Sequence, residues 1–172
     1  LYNRGGHRPI LHGRTAFTPQ PTRTTCWAAS TSMLTGKSVR RVIRDTPSDL
    51  LLPNGSLRNY SGASDWVSGT RRFARAHTLR YDPPMSWTVG RLRSRLGHGP
   101  LVVDMLWRSD EYVEGSGSAG HMVCIVGIRG DDHDTTIRIH DPWPPQVGRR
   151  HSVCYQRWVR DVPTRTYRTF FR

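Results

Sequence analysis

Three side chains in this 172-residue sequence have the types and the order that thiol acyl chemistry needs: Cys26, His121 and Asp141. A cysteine attacks a carbonyl carbon as its thiolate. A histidine takes the thiol proton and later gives it to the leaving group, and a carboxylate holds the imidazole in the right tautomer. Each of the three sits in a distinctive context. Cys26 ends the run Gln20-Pro-Thr-Arg-Thr-Thr-Cys26 and is followed by Trp27. His121 follows Gly120 at the start of an apolar run, and Asp141 lies in His140-Asp141-Pro142-Trp143. Gln20 precedes Cys26 by six positions, close enough for its amide to donate to a developing oxyanion alongside the Cys26 backbone N–H.

The elements around these residues must bring them together. Thr24 or Thr25 can cap a helix from about Cys26 to Leu34, ended by Gly36. That places Cys26 in the first turn, where the positive end of the helix dipole favours a thiolate. Residues 101–107 and 121–129 read as strands, the second apolar on both faces and therefore central. Gly130–Asp134 reads as a hairpin turn and Thr135–His140 as the next strand. Alternate strand residues share a face, so His121 lies with Val123 and Ile125, and Asp141 with Ile137 and Ile139. If the two strands pair around the turn, His121 and Asp141 come nearly opposite, about 5 Å apart at Cβ. His140 then points to the other face. Trp27 and Trp143 read first as packing residues that support the site, with Trp143 covering the His121–Asp141 pair.

The rest of the chain supplies helices before strands. Short helical patterns occupy 39–44, 65–76 (Trp66, Phe73 and Ala76 inward) and 88–96, where Thr88 caps and Val89, Leu92 and Leu96 share a face. Residues 46–64, rich in turn formers, read as a surface excursion. The stretch 81–84 breaks a helix, 153–159 is a strand edge or a short helix, and 166–171 is a final strand. Residues 1–18 read as an extended basic arm and 19–172 as one domain. The order implies an α+β fold, with N-terminal helices packed on a C-terminal antiparallel sheet.

Composition narrows the function. The formal net charge is +13, and Lys37 is the only lysine among 26 basic residues. Such a charge suits an acidic partner, but the arginines are scattered and form no nucleic-acid module. Three cysteines, an odd number, argue against a disulfide framework. A zinc site from Cys124, Cys154, His140 and His151 lacks short ligand spacing, so no metal or other cofactor is expected. Cys124 lies in an apolar run and reads as a packing residue. No apolar run reaches the ~18 residues of a membrane-spanning helix. A start at Leu1 suits a domain cut from a longer chain.

The set Gln20, Cys26-Trp27, Gly120-His121 and Asp141-Pro142-Trp143 resembles the papain-like cysteine peptidases. It is most similar to their compact bacterial branch, the double-glycine leader peptidases and the papain-like effectors of plant pathogens. The resemblance implies Cys26 as nucleophile, His121 as base, Asp141 as orienter and Gln20 as oxyanion donor. Asp141 stands where papain has asparagine, and Thr24-Thr25 where papain has Gly-Ser, so substrate contacts there do not carry over. The resemblance also implies a protein substrate cut after a small residue or Gly-Gly. Secretion or delivery into the reducing cytosol of a target cell, as a toxin domain with an acidic immunity protein, follows from the same likeness. Transglutaminases and deamidases also order Cys, His and Asp in this way, and they form an alternative. A non-catalytic basic binding domain is another.

Overall fold

The structure is a computed structural model that describes residues 7–59, 63–83, 87–106, 120–161 and 166–172. Its centre is a seven-stranded sheet in which every pairing is antiparallel. In chain order the strands are β1 (Ile10–Leu11), β2 (Arg80–Asp82), β3 (Leu101–Leu106), β4 (Gly120–Arg129), β5 (Thr136–Asp141), β6 (Arg149–Cys154) and β7 (Thr166–Phe171). In space they run β2-β7-β3-β4-β5-β6. β1 pairs with β4 at Ile128 and Gly127, beyond the stretch of β4 that β3 occupies. Five α-helices are described: α1 (Cys26–Thr35), α2 (Val39–Asp45), α3 (Ala63–Ala76), α4 (Val89–Leu96) and α5 (Tyr155–Asp161). This is the α+β arrangement expected from the sequence.

Two apolar cores lie on the two faces of the sheet, as the alternation of strand side chains requires. Trp27, Met33, Val42 and Phe73 pack with Met122, Cys124, Val126 and Phe170. Leu92, Leu96 and Tyr155 pack with Val123, Ile125, Ile137 and Ile139 on the other side. β4 is apolar on both faces because it is covered on both, as its sequence predicts. The helices therefore divide between the faces, α1 to α3 on one and α4 with α5 on the other.

Local chemistry explains most element ends. Gly36 stops α1 in the left-handed conformation, at φ 75°. The Ser38 and Thr88 hydroxyls cap α2 and α4 by accepting from the backbone N–H of Arg41 and Arg91. In α3, Trp66 and Phe73 face inward as expected; Ala76 is only half-buried, and Ala74 fills the core instead. The segment 153–159 is both things expected of it, since β6 ends at Cys154 and α5 starts at Tyr155. Trp107 and Pro84 lie outside the described residues.

Two expectations need correcting. The stretch 46–64 is not simply a surface excursion. Leu50 and Leu57 are buried in the first core, Leu51 bridges to Leu57, and the Gly55 carbonyl accepts from Trp27 Nε1 at 3.0 Å. The described part of the basic arm is docked as well. Ile10–Leu11 joins the sheet, His12 N–H donates to the Val126 carbonyl at 2.8 Å, and Phe17 meets the His140 ring edge-on at 5.5 Å. In both stretches polar residues outnumber the few apolar anchors, so composition alone hides the docking.

His77 is buried and held neutral. Its ring packs on Phe73, and its Nε2 lies 2.9 Å from the Thr46 hydroxyl. That hydroxyl already donates to the Val42 carbonyl, so His77 Nε2 is the donor. Burial, helped by the charge of Lys37, lowers the His77 pKa from 6.5 to about 4, and burial likewise lowers His140 to about 4. A depressed folded-state pKa stabilises above the unfolded value, and that contribution is lost as pH falls through the folded value. Urea midpoints measured between pH 7 and 4 are therefore expected to fall across this window. The His77→Gln variant is expected to show a shallower fall.

Candidate active site

Cys26 is the first residue of α1 and is almost fully buried. Thr25 occupies the N-cap position but makes no side-chain cap. Its hydroxyl turns back to Thr22 instead, accepting from the Thr22 N–H at 3.0 Å and lying 3.2 Å from the Thr22 carbonyl. This differs from the cap expected of Thr24 or Thr25. Thr24 donates to the Asn54 carbonyl at 2.7 Å and ties the helix start to the 51–57 loop. No side chain caps the N–H groups at the start of α1, which keeps the positive end of the helix beside the Cys26 sulfur.

His121 Nε2 lies 2.7 Å from Asp141 Oδ1. The same oxygen accepts the Trp143 backbone N–H at 2.9 Å, which fixes the carboxylate. The expected direct opposition of His121 and Asp141 is not what joins them. The β4–β5 register shifts between Ile125 and Gly127, and beyond it Cys124 faces His140. Continued one step, this register sets Asp141 across from Val123, so Asp141 and His121 are diagonal neighbours on one face. Diagonal positions stand about 7–8 Å apart, a gap that an imidazole and a carboxylate together span. The one local sign of the bulge is Gly127, a glycine inside a strand, which alone does not fix the pairing on either side of it.

The second partner of His121 is Cys26, whose sulfur forms a side-chain hydrogen bond with the ring. Burial disfavours the charged ring, but the hydrogen bonds to Asp141 and then to Cys26 outweigh it and raise His121 from 6.5 to about 10. Cys26 belongs to one core, while Val123 and Ile125, which share the face of His121, belong to the other. The two residues therefore meet at the end of the sheet rather than inside either core.

Gln20 is completely buried. Its backbone N–H donates to the Pro142 carbonyl at 3.1 Å and its own carbonyl accepts from Gln146 N–H at 2.8 Å, fastening it to the segment that carries Asp141. Its amide Nε2 donates to the Thr22 carbonyl at 2.6 Å, which engages one of the two amide protons. Trp27 is core, edge-on to Phe73 at 6.0 Å. Trp143 is half-buried, and its backbone N–H ties it to Asp141. His140 is kept from the site by its facing and by its lowered pKa. Burial pushes the Cys124 thiol up to about 12, so it is an inert packing residue.

Sequence reasoning missed Asp104 and Arg168. Both are buried, Arg168 Nε donates to Asp104 Oδ2 at 2.7 Å, and both line a small recess beside Cys26 with Asn59, Gly120 and Met122. The signal was present as an acidic residue inside an apolar strand. Among the described residues no cluster of His, Cys, Asp or Glu is fit to hold a metal.

Family comparison settles the class. The family described as papain-like cysteine protease AvrRpt2 matches residues 13–157, most of the chain. The chain belongs to this family. It is a papain-like cysteine protease, a hydrolase, and its substrate is protein. A solved structure from Bacillus anthracis, described as a C39-like peptidase, shares the fold at a TM-score of 0.56 and 12% identity, covering 96% of this chain and 98% of that one. No curated protein matches the chain. Family membership selects peptide hydrolysis over the glutamine-directed acyl transfer that the same residue order allowed.

Gly120, the glycine of the Gly-His pair, has a steric reason. A Cβ there would sit 3.1 Å from Asp104 Oδ1 and 3.2 Å from the Met105 carbonyl oxygen. Backbone cannot yield as a flexible side chain does, so Gly120→Ala must shift the strand start that carries His121. We expect a stability loss of about 1–3 kcal/mol. Alkylation of Cys26 by iodoacetamide at pH 7, read by peptide mass mapping, should slow by roughly tenfold or more.

Proposed function

We propose that Cys26 is the nucleophile of this protease, His121 its general base and acid, and Asp141 the residue that positions His121. The observation that carries the reading is the bridging of His121 between Asp141 and Cys26, with its pKa raised to about 10. His121 takes the Cys26 proton, so the sulfur attacks as a thiolate. The thiolate forms a bond to the scissile carbonyl carbon, and His121 gives its proton to the departing amine as the C–N bond breaks. Water then attacks the thioester, His121 takes its proton, and Cys26 leaves as the thiolate. The Cys26 backbone N–H and the remaining amide proton of Gln20 are assigned to the oxyanion. Trp27 supports the helix start through Gly55, and Trp143 supports Asp141.

The recess beside Cys26 supports a preference for a small residue, with glycine first, on the acyl side of the cut. Its described walls leave about 10 Å³, room for roughly one water. Composition supports a reading of the cellular role. All three cysteines are free, which suits a protein delivered to a reducing cytosol as an effector or toxin domain. A net charge of +13 would steer an acidic immunity protein or inhibitor to it.

The test compares new protein N-termini in a target-cell lysate treated with wild type or with Cys26→Ala. Cuts made by wild type alone, after glycine, are expected; cuts retained by Cys26→Ala would sink the assignment. Asp141→Ala should lower the rate by about 10²-fold, and Asp141→Asn, which keeps an acceptor for the His121 ring, should lower it less.

A further inference from the structure

Arg149 is a charge beside the site that the chemistry described above does not use. It opens β6, and the register sets it directly across from Asp141 on β5. Directly opposed residues share a face of the sheet with Cβ atoms about 5 Å apart, so Arg149 stands one strand beyond the carboxylate that holds His121. An arginine in that place could clamp Asp141, and it does not. Asp141 Oδ1 takes His121 and the Trp143 N–H as its partners. Arg149 is exposed, and among the described residues nothing engages its guanidinium. Charged residues are ordinary on an edge strand such as β6, where they deter pairing with other chains. Arg150 meets that need from the opposite face, and its guanidinium is placed over the Phe17 ring at 5.5 Å. Arg149 differs in facing the site without a partner.

The chain around Arg149 supplies no counter-ion. Gln20 donates its N–H to the Pro142 carbonyl and accepts from the Gln146 N–H, which joins the segment before Cys26 to the segment after Asp141. No Asp or Glu occurs in 1–44 or in 142–160. A rim lined by one sign of charge draws in the opposite sign. The position of Arg149 is also fixed. Gly148, at φ 60°, brings the start of β6 against the site, and a Cβ there would run into the Phe17 ring and sit 3.0 Å from the Asp141 carbonyl oxygen. Contact and register thus order Cys26, His121, Asp141 and Arg149 in one direction. His121 gives its proton to the departing amine, so the leaving half of the substrate lies on the His121 side, toward Arg149. The recess beside Cys26 is assigned to the acyl half. We propose that Arg149 binds a carboxylate on the leaving side of the scissile bond, so that this protease favours substrates with Asp or Glu in the first two positions after the cut. The inference rests on the assignment of Cys26, His121 and Asp141 made above.

The test digests a proteome-derived peptide library with wild type, Arg149→Gln, Arg149→Glu, Arg150→Gln and Cys26→Ala, and reads the cut positions by mass spectrometry. In wild type, Asp and Glu are expected about fivefold over Asn and Gln at one of the first two leaving-side positions, the size of an exposed charge pair. About 0.5 M salt should weaken that preference. It should vanish in Arg149→Gln and turn toward Lys and Arg in Arg149→Glu, while Arg150→Gln, changed on the opposite face, keeps it. Wild type without the acidic preference overturns the proposal. So does a preference that Arg149→Gln retains, because a merely structural arginine would change the amount of cutting and not its selection. Cuts shared by Cys26→Ala overturn the assignment of the site itself.

Discussion

The structure turns on one buried ring. His121 meets Asp141 through Nε2 and has Cys26 as its other partner, and each contact makes a demand on a different part of the chain. The contact to Cys26 requires a helix that begins at the cysteine, aims its N-terminus at the end of β4 and lacks a side-chain cap. The contact to Asp141 requires a bulge that carries β5 one residue out of simple register. Without Asp141 and the sulfur nearby, a ring this deeply buried would be neutral, as His77 and His140 are. The three histidines lie in one protein with similar burial, and their neighbours alone separate an imidazolium from two imidazoles.

Much of this was legible in the sequence, for identifiable reasons. Cys26, His121 and Asp141 stand out because each sits at the boundary of a regular element, where turn residues and apolar periodicity mark position well. Gly36, Ser38 and Thr88 act through their own backbone or hydroxyl chemistry and are readable locally. The strands β1, β2 and β6 are not. Two of them are three residues or fewer, and β6 carries Arg149, Arg150 and His151, which reads as loop. The register shift at Val126 and the Asp104–Arg168 pair depend on which strands become neighbours, and their local signs, Gly127 inside a strand and Asp104 inside an apolar run, do not say which. Thr25 shows a different failure: the residue type is right for a cap, but its hydroxyl finds a partner in Thr22.

The loop 51–57 shows how little apolar chain is needed to build a wall of a site. Leu57 anchors it from below and two carbonyls, those of Asn54 and Gly55, receive Thr24 and Trp27. Gly55 sits at φ 83°, where side chains are strained, and a Cβ there would come 3.5 Å from the Thr24 hydroxyl oxygen. The loop and the start of α1 thus constrain one another. Gln20 is locked in a similar way to the segment following Asp141. The two sides of the site are fastened to each other by main-chain groups, which are less sensitive to side-chain change than a purely side-chain network.

The place of β7 has a consequence for biosynthesis. This strand, at 166–171, is inserted between β2 and β3 rather than added at an edge, and it brings Arg168 to the recess beside Cys26. During vectorial synthesis, residues 26, 121 and 141 leave the ribosome well before it does. Until it emerges, β3 lacks a neighbour on one side and Asp104 lacks its counter-ion. A nascent chain therefore holds these three side chains before the strand that completes the sheet beside β3.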